Sequence, residues 1–173
     1  MINVLQYPHK ALTEESTPFD FKNDKILDYD DIEKFQHDMI NLMITSRGMG
    51  LAANQLGITK RFFAIGSETF DKFKKPAIIW NPSIVRESEE KTLDEEGCLS
   101  FIGMFIKVLR AEKVLVRWQN LKGETLMQNL NGMDSKCFQH EVDHLNGITF
   151  NTKVSKLKWD MATKKLEKIN ARS

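Results

Sequence analysis

The run His140-Glu141-Val142-Asp143-His144 constrains this chain more than any other stretch, because it gains chemical sense only on a helix. Residues four apart share one helix face, so both imidazoles can reach one metal ion with the glutamate beside them. The flanking residues support such a helix. Phe138, Val142 and Leu145 recur at i, i+4 and i+7 as a core face, and Asn146-Gly147 is a natural C-terminal stop. The spacing predicts a helix from Asn131 or Asp134 to that stop. A second stripe, Met133, Cys137, His140 and His144, lies on another face and reads as the wall of a pocket open to substrate.

Two histidines leave a catalytic site short of a ligand, since such sites take three protein ligands and keep one position open. A metzincin protease would place a third histidine where Phe150 stands, and a thermolysin-like one would need Glu167, far into a lysine-rich tail. Cys98 in Glu95-Glu96-Gly97-Cys98-Leu99-Ser100 is the better candidate, with Gly97 letting backbone approach closely. One thiolate and two imidazoles suit Fe2+, Zn2+ or Ni2+ and disfavour Mg2+ or Ca2+. The open position would hold a water made more acidic by the metal, with Glu141 as general base and then acid.

Elsewhere the pattern is one helix, a β-rich middle, the histidine helix and a helical tail. The first helix is expected over Asp28 to Thr45, with Asp28 or Asp30 as cap and Ile32, Phe35, Met39, Leu42 and Met43 facing inward. Strands are expected at Phe62 to Ile65, Ile78 to Val85, Lys107 to Trp118 and Thr125 to Leu130. Short turns between them favour antiparallel pairing. A last helix, Lys156 to Ala171, carries Leu157, Met161, Leu166 and Ile169, with its many lysines reading as a solvated face. At 173 residues, with no repeat and no linker, residues 1–173 read as a single domain.

The 25 basic and 24 acidic residues leave a net charge of +1, which predicts no general attraction to nucleic acid or anionic lipid. No stretch approaches a membrane span, and the start Met1-Ile2-Asn3-Val4-Leu5-Gln6-Tyr7-Pro8 does not resemble a signal peptide. A reducing, cytoplasmic setting follows, with Cys98 and Cys137 as free thiols. His9 and His37 sit among charged residues and read as surface groups.

Three segments in order resemble the peptide deformylase family: Gly48-Met49-Gly50-Leu51-Ala52-Ala53-Asn54-Gln55, Glu96-Gly97-Cys98-Leu99-Ser100, and Gln139-His140-Glu141-Val142-Asp143-His144-Leu145-Asn146-Gly147. Val4-Leu5-Gln6-Tyr7-Pro8 and Arg110-Ala111-Glu112-Lys113 extend the likeness to about Phe150. The resemblance implies an α+β fold with antiparallel sheets around the central HExxH helix, flanked by an N-terminal and a C-terminal helix. It implies removal of the formyl group from N-formyl-methionyl peptides as they are made at the ribosome. It implies Fe2+ as the native ion, with Zn2+, Ni2+ or Co2+ able to substitute, and the Gln55 amide and Leu99 backbone N–H as oxyanion donors beside Glu141. Substrate contacts are expected from Gly48, Met49, Gly50, Glu96, Gly97, Met133 and Cys137, and Asp143 is expected to pair with Arg110. Asn54, Asp94, Ile102 and Phe105 depart from the family pattern and bear on side-chain preference. A metalloprotease acting within chains, or a closed structural metal site using Cys137, are the competing readings.

Overall fold

The computed structural model describes residues 2–171; Met1 and the last two positions of the expected unit lie outside the described residues. The order is α1 (Ile32–Thr45), β1 (Gly50–Ala52), β2 (Phe62–Ile65), β3 (Ala77–Glu87), β4 (Lys91–Cys98), β5 (Phe101–Ala111), β6 (Lys113–Gln119), β7 (Thr125–Asn131), α2 (Gly132–Leu145) and α3 (Lys156–Asn170). Five strands form one antiparallel sheet in the order β1-β2-β3-β6-β7, and β4 pairs with β5 as a separate antiparallel ribbon. The architecture is the expected α+β one. Among the described residues no helix is long and apolar enough to cross a membrane.

Strand β2, Phe62-Phe63-Ala64-Ile65, is buried at every position because the sheet is covered on both faces. Phe63 and Ile65 join Phe138, Val142 and Leu145 of α2, while Phe62 and Ala64 join Phe35, Met39 and Met43 of α1. A period-2 strand sends alternate side chains to opposite faces, so a wholly apolar run is what a strand between two helices needs. The ribbon is covered differently: Met104, Ile106 and Val108 of β5 cluster with Phe150, Trp159, Ala162 and Leu166.

Several boundaries differ from expectation. Helix α1 starts at Ile32 rather than Asp28, and its cap is Asp31, whose Oδ1 accepts from Glu33 N at 2.8 Å. Leu27 at φ +49° and the Ile26↔Tyr29 bridge hold the preceding residues in a turn. The expected strand Lys107 to Trp118 is two strands, broken at Glu112, where the chain leaves the ribbon for the main sheet. In α3 the inward face is Trp159, Ala162 and Leu166, whereas Leu157, Met161 and Ile169 are exposed. The rings of Phe101 and Phe150 lie 5.8 and 6.3 Å from Trp159 and set that orientation.

Helix α2 is anchored at its N-terminus by buried Asp134. Its carboxylate accepts from the backbone N–H groups of Asp71, Lys72 and Phe73 at 2.7 to 3.1 Å. Asp134→Ala strands those donors, so it should cost about 2–4 kcal/mol in urea unfolding. A loss below about 0.5 kcal/mol, the usual range of an unconstrained surface change, would contradict this account of the anchor.

Candidate metal and catalytic centre

His140 and His144 project from α2 one turn apart, and Cys98 ends β4 opposite them. Their donor atoms all lie within 4.8 Å of one another. Cys98 Sγ is 3.2 Å from His144 Nε2. Three soft or borderline donors converging at this spacing, with no other carboxylate or cysteine of the described residues joining them, match a three-ligand site with an open position. Glu167 is exposed on α3, and buried Phe150 packs its ring edge-on to His140 at 6.0 Å, so neither alternative third ligand is in place. Cys137 is a free thiol on the α2 stripe, packed against the core and outside the donor group, which disfavours a closed four-ligand site.

His140 is oriented from behind. Its Nδ1 lies 2.9 Å from Glu96 Oε2, and Arg110 grips the same carboxylate through Nε (2.6 Å) and Nη2 (3.0 Å). Arg110 Nη1 donates in turn to Asp143, the pairing expected from the sequence, and Lys153 also reaches Asp143 at 3.2 Å. Burial alone would raise the Glu96 pKa, but the His140 and Arg110 contacts outweigh it and hold it at about 2. An ionised Glu96 must accept, so His140 Nδ1 carries the proton and Nε2 is turned to the site. Glu96, a candidate substrate contact in the sequence, lines the cavity, and both of its carboxylate oxygens are already engaged by Arg110 and His140. His144 lacks an equivalent partner: its buried Nδ1 has no acceptor among the described residues.

Glu141 is buried beside the donors, with Oε1 against Gly50 and Oε2 without a hydrogen-bond partner among the described residues. A Cβ built on Gly50 would stand 2.6 Å from the Glu141 carboxyl carbon, so only glycine leaves the carboxylate room. Gly50→Ala should therefore displace it and lower kcat by about tenfold or more, since small misplacements of a reacting group are costly. Unchanged kcat would show that Glu141 needs no such room.

Gln55 is fixed by a short 3-10 turn, Ala53–Leu56. Its Oε1 accepts from Ala52 N at 2.8 Å, which turns the NH2 toward Ser100 Oγ (3.0 Å) and Cys98 Sγ (3.6 Å). The backbone donor settles which end of the amide faces the site. Leu99 follows Cys98, and its side chain covers Gly48.

These groups line a cavity of about 440 Å3. Gly48, Met49, Gly50, Gly97, Met133 and Cys137 form its walls together with Gln55, Leu99, Cys98, His140 and Glu141, while His144 sits behind. The volume is ordinary for a small-ligand cleft.

The protein-family model described as polypeptide deformylase matches residues 1–160. The chain belongs to the peptide deformylase family. The peptide deformylase of Rhizobium meliloti is 35% identical over 161 residues, spanning 93% of this chain and 89% of that one. That of Thermotoga petrophila is 40% identical over 140 residues, spanning 81% and 82%. The crystal structure of the Legionella pneumophila peptide deformylase superposes with a TM-score of 0.83 at 34% identity, covering 99% of this chain and 96% of that one. This deformylase is accordingly an enzyme, a hydrolase of that class.

Several residues around the cavity were missed in the sequence, among them three polar ones. Ser100 is a polar neighbour of Gln55, and Lys136 together with Glu95 lines the cavity. Ser100 reaches Gln55 through the turn that joins β4 to β5, and Lys136 reaches the cavity on the α2 face that also carries Met133, Cys137 and His140.

Proposed function

We propose that this chain hydrolyses the formyl group from N-terminal formylmethionine of newly made polypeptides, with a divalent ion, natively Fe2+, held by Cys98, His140 and His144. Zn2+, Ni2+ and Co2+ suit the same donors. The observation that carries the reading is a Cys-His-His donor set, two members of which, Cys98 and His140, line one cavity with Glu141, whose Oε2 has no hydrogen-bond partner among the described residues. When bound, the ion supplies positive charge that polarises the formyl carbonyl and acidifies water.

Glu141 takes a proton from the attacking water as the new C–O bond forms. The Gln55 NH2 and the Leu99 backbone N–H donate to the oxygen that becomes negative. As the C–N bond breaks, Glu141 returns its proton to the amine nitrogen, leaving formate and a free N-terminus. The substrate carries its formyl group when newly made, so the reading places this encounter at the ribosome, in the cytoplasm. Formyl-Met-Ala-Ser should release formate, whereas acetyl-Met-Ala-Ser and internal amide bonds should stay intact. Cleavage within chains would instead favour the protease reading.

Metal uptake should be coupled to protons. Burial disfavours the charged form of His140, but its contacts to Cys98 and Glu96 prevail and raise its pKa to about 10 in the metal-free chain. At neutral pH a proton must leave before an ion binds, so affinity should rise with pH up to about 10 and fall in acid. Titration of metal into protein in two buffers of different ionisation enthalpy should show net proton release at pH 7. No release would contradict a protonated His140.

A further inference from the structure

The cavity wall formed by α2 changes character at Lys136. Met133, Lys136, Cys137 and His140 follow at i, i+3, i+4 and i+7, and all line the cavity. Lys136 is no solvated lysine: its side chain is 12% exposed, and Nζ lies 2.6 Å from Asp94 Oδ2 and 3.3 Å from Glu112 Oε2. Asp94 comes from β4 and Glu112 from the break between β5 and β6, so two backbone segments hold the ammonium in place. An ammonium has three donors, and these two carboxylates are its only polar partners among the described residues. An apolar chain end seated against it leaves a desolvated donor unpaired, whereas a chain end with an acceptor satisfies it. The sign of the surroundings narrows the choice. Lys136, Asp94 and Glu112 together carry one net negative charge, while Glu95 and Arg47 line the same cavity with opposite charges, so it is the clamp itself that repels an anionic chain end.

We propose that Lys136, clamped by Asp94 and Glu112, is a specificity-determining residue that selects unbranched first side chains ending in a neutral hydrogen-bond acceptor. This rests on the deformylase reading above and on the first side chain lying along Met133 and Lys136. The thioether of formylmethionine is a weak acceptor and fits modestly; its sulfoxide and the glutamine amide fit better. Oxidised formylmethionine is then a substrate that the site accepts rather than rejects.

The test is kcat/KM of the metal-loaded enzyme for formyl-X-Ala-Ser, with X as methionine, methionine sulfoxide, norleucine, glutamine or glutamate. The sulfoxide and glutamine peptides should exceed norleucine by about tenfold, and glutamate should fall below both. Lys136→Met alone leaves two carboxylates unpaired, so the comparison uses Lys136→Met with Asp94→Leu, in which norleucine should overtake the sulfoxide. Norleucine favoured over sulfoxide in the wild-type enzyme would overturn the proposal, and that measurement decides even if the double variant does not fold. A lowered melting temperature with unchanged substrate ratios would also overturn it, making the clamp purely structural. Absence of formate from every peptide is a separate result, which removes the deformylase reading itself.

Discussion

Glu141→Ala is expected to keep its metal and lose on the order of a hundredfold or more in kcat, the range for a positioned general base. Oε2 has no hydrogen-bond partner among the described residues and Glu141 is not one of the converging donors, so its removal leaves Cys98, His140 and His144 in place. Burial raises the Glu141 pKa, opposed by the charges of His140 and Arg110, and brings it to about 7 in the metal-free chain. A carboxyl near neutrality can take a proton and give it back, as hydrolysis followed by amine release requires. The check is metal content by elemental analysis alongside kcat. If metal and activity fall together, Glu141 is a structural residue and the mechanism fails.

Cys98→Ser should lose metal and activity together. Cys98 is the one donor of the set that can bind a metal as an anion, and a neutral hydroxyl in its place leaves two imidazoles. Altering an outer partner of a ligand typically costs about 10–100-fold in affinity, so removing the ligand itself should exceed that. The hydroxyl can still receive the Gln55 amide, which in the native chain faces Cys98 Sγ at 3.6 Å, so the fold around it should persist. Circular dichroism separates loss of metal from loss of structure. Stoichiometric, tightly held metal in this variant would remove Cys98 from the ligand set.

The helix that bears the histidines was legible because its core stripe, Phe138, Val142 and Leu145, and its Asn146-Gly147 stop are local features. Strand β2 was legible for the same reason, as an unbroken apolar run. Strand β4 was not. Its positions alternate between exposed and half-buried, but the half-buried ones include Thr92, Asp94 and Glu96, whose inward faces are used for polar and ionic contacts rather than apolar packing. Glu96 could not be assigned from the sequence because its partners, Arg110 and His140, are 14 and 44 residues away. The tail helix shows the opposite failure. Leu157, Met161, Leu166 and Ile169 make a plausible stripe, yet β5 and Phe150 present their surface to Trp159, Ala162 and Leu166 instead. Periodicity finds candidate faces; the partner decides which one is buried.

Formate released from formyl-Met-Ala-Ser, followed as Fe2+ is added stepwise to metal-free protein under anaerobic conditions, tests the central claim most directly. The account predicts a rate that rises with added ion, levels at about one equivalent per chain, as one three-ligand site requires, and vanishes on chelation. Full formate release by rigorously metal-free protein, or a rate that keeps rising well beyond one equivalent, would contradict a single catalytic ion held by Cys98, His140 and His144.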